Sequence, residues 1–246
     1  MTASQPTILL TNDDGYTSSG IIAAYQAIRH LGPVHVVAPS SEQSACSHAI
    51  TQRGPIIAKR ITHEPFGEIF AVNGTPADCV RVALAELIPS PVDLVISGIN
   101  HGANAGVDTF YSGTVAAARE AAIMGVKGIS LSQALRRGLD TDWTACANAA
   151  KIAIDQIIDE RLPSPGFWSI NLPAPIPDKP GDHIHRVPIS LAPAPMSFDT
   201  ALQDDGQTLA LTYSGNYWNR QKQENTDYHV VSHGGIAITS ILLQTA

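Results

Sequence analysis

Two aspartates in adjacent positions, Asp13 and Asp14, follow the apolar run Thr7-Ile8-Leu9-Leu10 and precede Gly15. Carboxylates side by side repel one another, so the pair costs stability unless a cation sits between them. A divalent metal is the simplest such cation, and it makes the chain a candidate metalloenzyme. Oxygen donors recur further on. Ser40-Ser41-Glu42-Gln43-Ser44 supplies hydroxyls, and Ser97-Gly98-Ile99-Asn100-His101-Gly102-Ala103-Asn104-Ala105-Gly106 supplies amides. Carboxylates with hydroxyl and amide oxygens, and no thiolates, suit a hard cation such as Mg²⁺ or Mn²⁺. Two carboxylates neutralise the dication, and neutral Ser and Asn ligands leave positive potential for a phosphate.

A second kind of chemistry adjoins the amide-bearing stretch. Ser112-Gly113-Thr114 opens the helix-forming run Val115-Ala116-Ala117-Ala118-Arg119-Glu120. Free backbone N–H groups at a helix start, flanked by small hydroxyl side chains, form an anion site. Glycines at 98, 102 and 106 let backbone approach a ligand with no Cβ in the way. Taken singly, each piece has an ordinary structural use. Asp-Asp-Gly makes turns, Ser112 is a good cap, a loop histidine such as His101 is commonly idle, and Cys79 on a helix belongs to a core. The combination at consecutive strand ends carries the weight.

Those strand ends follow from the apolar pattern. Ile8-Leu9-Leu10 reads as a buried strand. Ser19 is a candidate cap for a helix carrying Ile21, Ile22, Tyr25, Ile28 and Leu31, stopped by Gly32-Pro33. Val34 to Ala38 is a second strand, so a β-α-β unit with parallel strands fills the first forty residues or so. A weak strand signal lies at Ile56-Ile57, and a firmer one at Ile69 to Val72. Thr75 caps a helix with Pro76 at its first position, and that helix is expected to bury Val80, Ala83, Leu84 and Leu87. Asp93 to Ser97 is a strand that enters a long loop, Gly98 to Tyr111. A helix from Ser112 to Ala122, a strand at Gly128 to Ser132 and a long helix from Thr141 to Glu160 follow. Beyond Arg161 the character changes: nine of the 17 prolines fall between Pro163 and Pro195. Trp168 to Leu172, Thr208 to Tyr213 and Gly235 to Leu242 read as strands without intervening helices.

At 246 residues and 44% hydrophobic, the chain can bury one large α/β core. A formal net charge of −7 gives no footprint for a nucleic-acid polymer. Cys46, Cys79 and Cys146 are scattered, with no disulfide or zinc spacing. No signal-length apolar segment opens the chain and no apolar run spans a membrane. Reduced thiols in a cytoplasmic protein, with no membrane partner, are the expectation.

The chain resembles the SurE family of survival-protein metallophosphatases, which are 5′/3′-nucleotidases. The matching residues are Leu9-Leu10-Thr11-Asn12-Asp13-Asp14-Gly15, Val37-Ala38-Pro39 with Gln43-Ser44, and Asn73-Gly74-Thr75-Pro76-Ala77-Asp78-Cys79-Val80. They continue in Ser97-Gly98-Ile99-Asn100 through Gly106, and in Tyr111-Ser112-Gly113-Thr114-Val115-Ala116-Ala117-Ala118. Thr226-Asp227 and Gly235-Ile236-Ala237-Ile238-Thr239 are similar to the family's late segment. The chain departs at Ser18-Ser19, where an Ala-Pro pair is usual, and at Ala45, where glycine is common.

The resemblance implies a Rossmann-like, mostly parallel sheet flanked by helices over residues 1–180. It also implies a smaller hairpin-containing C-terminal extension, 181–246, that packs on the core and joins subunits into a homodimer or homotetramer. It places one divalent cation per subunit on Asp13, Asp14, Ser44 and Asn100, and the substrate phosphate on Asn104, Ser112, Gly113 and Thr114. Asp13, Asp14 and Asn100 are then the catalytic set. The expected reaction is hydrolysis of nucleoside 5′- or 3′-monophosphates, with short polyphosphate a further substrate, by metal-activated water. Two rival chemistries stand beside it. An aspartyl-phosphate route usually separates its two aspartates by one residue. A non-enzymatic nucleotide or phosphate sensor on the same fold would keep the cradle without needing paired carboxylates.

Overall fold

The computed structural model describes residues 5–162, 165–215 and 219–243. The first half of the chain forms β1 (Ile8–Thr11), α1 (Ser19–Ile28), β2 (Val34–Pro39), β3 (Ile57–His63), β4 (Gly67–Asn73), α2 (Pro76–Val82) and β5 (Leu94–His101). The second half forms α3 (Gly113–Ile123), β6 (Lys127–Gln133), α4 (Trp143–Asp155), β7 (Gly166–Leu172), β8 (Ile184–Arg186), β9 (Phe198–Leu202), β10 (Leu209–Tyr213), α5 (Asp227–Ser232) and β11 (Ile236–Leu242).

Nine strands make one sheet in the order β3-β4-β2-β1-β5-β6-β7-β11-β8, and β9 pairs with β10 in a separate antiparallel hairpin. Pairing is parallel from β4 through β2, β1, β5 and β6 to β7; β3 and β11 run antiparallel to β4 and β7. The fold is therefore a Rossmann-like α/β sandwich with a small hairpin. β1 is buried along its whole length, which is why it reads as an unbroken apolar run and not as an alternation. Ile8 and Leu10 pack with α1 and α4 on one face, while Leu9 packs with α2 and α3 on the other.

The topology fixes where a ligand can bind. From β1 the chain moves outward to β2, β3 and β4, then returns to lay β5 along the other side of β1. In open parallel sheets such a reversal leaves a crevice at the carboxyl ends of the two strands. Register pairs Thr11 of β1 with Ser97 of β5, so the residues that follow each strand emerge side by side. Two glycines allow the close fit. A Cβ on Gly20 would lie 1.9 Å from the Ile99 carbonyl oxygen, and Gly98, at φ 128°, has the Leu131 carbonyl oxygen 2.2 Å from its Cβ position.

Several elements differ from expectation. Ser18, not Ser19, caps α1: its hydroxyl accepts from the Ile21 N–H. The stretch from Gly98 is not all loop. A register shift between Ser97 and Asn100 lets β5 resume to His101, and Gly106–Phe110 winds into a 3₁₀ turn. The helix after residue 141 stops at Asp155, not Glu160, because the Lys127 ammonium donates to the carbonyls of Ile157, Ile158 and Glu160 and stabilises an unwound last turn. The weak signal near Ile57 becomes a seven-residue edge strand, paired with β4 along its length. Past α2 the chain widens into a π turn, Ala83–Leu87; Val80 and Ala83 are buried, whereas Leu84 and Leu87 are only half-buried.

The C-terminal segment departs most. It contains a six-residue helix, α5, and residues from 181–246 enter the main sheet: β11 inserts between β7 and β8. The β9–β10 hairpin forms a sheet of its own, with nearly every residue exposed. Among the described residues, no helix is long and apolar enough to cross a membrane.

Candidate active site

A cavity of about 440 Å³ opens at the β1/β5 crevice. Asp13, Asp14, Ser44, Asn100, Asn104 and Ser112 all line it, although they lie on three separate stretches of chain.

Asp13 is held from several sides. Its main-chain oxygen accepts from the Gln43 N–H at 2.8 Å, which pins the Ser44 loop to the β1 turn. Its carboxylate accepts a very short bond from the Thr114 hydroxyl. Gly113 permits this, because a Cβ there would meet the Asp13 carboxylate at 3.2 Å. Burial, with Asp14 alongside, pushes the Asp13 carboxyl up to about 6 despite those hydrogen bonds. Burial also raises the Asp14 carboxyl, opposed by the His101 N–H that donates to its Oδ2 at 3.2 Å. Asn12 clamps the turn beneath both: its amide donates to the Gly15 carbonyl and the Ser18 hydroxyl, each at 2.9 Å.

The neutral oxygen-bearing side chains are oriented too. Asn100 Nδ2 donates to the Gly102 carbonyl at 2.7 Å, which leaves Oδ1 as the end not engaged by that bond. Ser44 donates to Glu42 Oε1 at 2.5 Å and keeps its oxygen lone pairs. Asn104 is buried, with its N–H on Asn171 Oδ1 and its amide on the Ser132 hydroxyl. Ser112 caps α3, accepting from the Val115 N–H at 3.1 Å. Gly113 and Thr114 lie behind the lining, and the Thr114 hydroxyl is already committed to Asp13.

This donor set fits a hard divalent cation. Two carboxylates, an amide oxygen and a hydroxyl line the one cavity, and the Cys46 thiol is kept neutral by burial and by Asp13. Among the described residues, no three His, Cys, Asp or Glu side chains form a cage.

Sequence reasoning passed over several neighbours. Glu42, Asp108 and Tyr111 also line the cavity, and so does His101, expected to be idle. Asp108 pairs with buried Arg220 at 3.0 Å. Behind α3, His48 bonds Glu120 at 2.8 Å, and Arg81 reaches the same carboxylate at 2.9 Å, tying the Ser44 loop to the helix. These contacts join residues far apart in the chain, so no local pattern announces them. A larger cavity, about 760 Å³, lies at the opposite, amino end of the strands around Pro6, Leu94 and Lys127, and none of the candidate residues line it.

A family model described as "Survival protein SurE" matches residues 8–191. The chain belongs to the SurE family. A Rhodopirellula baltica protein named 5′-nucleotidase SurE is 37% identical over 241 residues, covering 95% of this chain and 91% of that protein. One of the same name from Geotalea uraniireducens is 38% identical over 242 residues, covering 96% and 92%. The crystal structure of a SurE protein from Aquifex aeolicus superposes with a TM-score of 0.82 at 30% identity, over 98% of this chain and 95% of that one. One departure from the usual SurE pattern has a visible cost. Ala45 adopts φ 56°, the left-handed region that glycine enters freely, at a cost of roughly 1–2 kcal/mol for an L-residue.

The raised Asp13 carboxyl makes a stability prediction for the metal-free protein. Its folded pKa of about 6 exceeds the ordinary 3.8, so the folded state holds a proton through that window that the unfolded state releases. Asp13 thus favours folding below about pH 4 and loses that contribution as pH rises through 6, a swing on the order of 3 kcal/mol. Asp13→Asn is expected to be more stable than the parent at pH 8, with the gap closing toward pH 4. Paired denaturant titrations without metal check this. A gap that does not narrow with falling pH would contradict it.

Proposed function

We propose that this protein is a divalent-metal-dependent phosphomonoester hydrolase acting on nucleoside 5′- or 3′-monophosphates, with short polyphosphate as a further substrate. The observation that carries the reading is the charge of the cavity. Its lining includes four carboxylates, Asp13, Asp14, Glu42 and Asp108, and no Lys or Arg among the described residues. An anionic phosphate enters such a place only with a cation already there. The names of the curated relatives, 5′-nucleotidase SurE, support the substrate class.

Asp13, Asp14, Asn100 and Ser44 would hold the cation, one per subunit, with Mg²⁺ or Mn²⁺ best suited to their oxygens. Bound there, it supplies charge compensation for the phosphoryl group and acidifies a water molecule. Ser112 and Asn104 donate to the phosphoryl oxygens and orient the phosphorus for in-line attack, aided by the positive end of α3. Gly113 makes room for Asp13 at that helix start. Thr114 acts through Asp13, fixing its carboxylate. Asp14 Oδ1, the oxygen not held by His101, accepts the attacking water's proton. The new P–O bond forms as the ester P–O bond breaks, and the nucleoside's leaving oxygen takes a proton from solvent and departs as the alcohol.

The assembly reading is a homodimer or homotetramer joined through the β9–β10 hairpin. Its support is apolar surface left bare: Phe198, Leu202, Leu209, Leu211 and Tyr213 are each at least 50% exposed. Free thiols at Cys46, Cys79 and Cys146 support a reducing, cytoplasmic setting.

Two experiments test these statements. Phosphate release from AMP should vanish on chelation and return with Mn²⁺, and Asp13→Asn should lower turnover by ~10²-fold or more. Full turnover by the chelated protein or by the variant would contradict the mechanism, and AMP binding without phosphate release would mark a sensor. Light scattering should give a dimer or tetramer for the full chain; a monomer at micromolar concentration would refute the hairpin's role.

A further inference from the structure

The cavity has an aromatic lip for which the phosphate chemistry has no use. Tyr111 lines the cavity yet is 62% exposed. It immediately precedes Ser112, the cap of α3, so its Cα lies about 3.8 Å from that of a phosphate-holding residue. Its backbone is fixed on both sides: its N–H donates to the Asp108 carbonyl at 3.0 Å, and its carbonyl accepts from the Ser47 N–H at 3.1 Å. The side chain is therefore presented by a rigid turn, and binding against it orders little extra chain.

The other aromatic ring in the lining, His101, packs against Trp143 with centroids 5.8 Å apart. Among the described residues, no aromatic ring packs on Tyr111. Its large apolar face is unspent beside the place where the phosphate sits. Among the described residues the lining holds no Lys or Arg, so such a face is the group available to attract the rest of a substrate.

Resting on the phosphoester reading of this cavity, we propose that Tyr111 is the platform on which the substrate's nucleobase stacks, and so the residue that separates nucleotides from other phosphate esters. Stacking tolerates every base, because each presents a π face, so the expected selectivity is for a nucleoside and not for one base.

The test is equilibrium binding in Mn²⁺ buffer. The probes are the methylene-phosphonate analogue of AMP, whose P–C bond resists hydrolysis, and inorganic phosphate. The parent protein should bind the analogue more tightly than phosphate. Tyr111→Ala should shrink that preference about tenfold or more, as loss of a stacked base commonly does, and Tyr111→Phe should keep it within about threefold. Tyr111→Trp should retain it, with indole fluorescence quenched on adding the analogue. A preference unchanged in Tyr111→Ala, or a Tyr111→Trp signal indifferent to the analogue, would overturn the stacking role. Phosphate binding with no preference for the analogue, even in the parent, would overturn the platform alone. Failure to bind either probe would sink the phosphoester reading as well.

Discussion

The burial of the Asp13 carboxyl, with a second, half-buried carboxyl beside it where β1 meets β5, is the constraint on which the rest of the structure depends. Asp13 is 5% exposed. A carboxylate so placed either keeps its proton or has a cation to face. The protein invests backbone and side-chain bonds in keeping it there: the Thr114 hydroxyl, the Gln43 N–H on its main-chain oxygen, and the Asn12 clamp on the turn. Such arrangements hold the carboxyl in a fixed place at the expense of stability.

The sheet makes that geometry possible. Because β5 returns to the other side of β1, the turn after one strand and the bulged end of the other occupy one crevice, with the start of α3 closing it. The same α3 serves structure and chemistry. Its alanines let it lie close on the sheet, where a Cβ on Gly128 would strike the Ala118 carbonyl oxygen at 2.3 Å. Its first turn meets Asp13. Its far side, through Glu120, receives His48 and Arg81 and so anchors the loop bearing Ser44.

Much of this was legible in the residues because the signals were local. An unbroken apolar run such as Ile8 to Leu10 marks a strand covered on both faces. Thr75-Pro76 announces α2, and the structure adds a full capping box through Asp78. The oxygen-bearing residues were legible as groups following strands, and six of the eight named residues line one cavity, the other two lying behind Asp13. What escaped was non-local. Nothing in Ile236 to Leu242 says that this strand slots between β7 and β8. The short α5 has too few residues for a periodicity, and its Asp227 serves the Gly106 and Ser190 N–H groups across the fold. Glu42, Asp108 and Tyr111 sit within a few residues of named site residues, but nothing local says that their side chains face the cavity, and the Lys127 contacts that end α4 early come from β6.

Locating the cation in a crystal tests the central claim most directly. Crystals grown or soaked with Mn²⁺ and measured for anomalous scattering should show one strong peak per subunit, within roughly 2.0–2.4 Å of carboxylate oxygens of Asp13 and Asp14. Asn100 Oδ1 should complete the shell. An Mn²⁺ peak away from this pair, or no peak at a saturating concentration, would contradict the account.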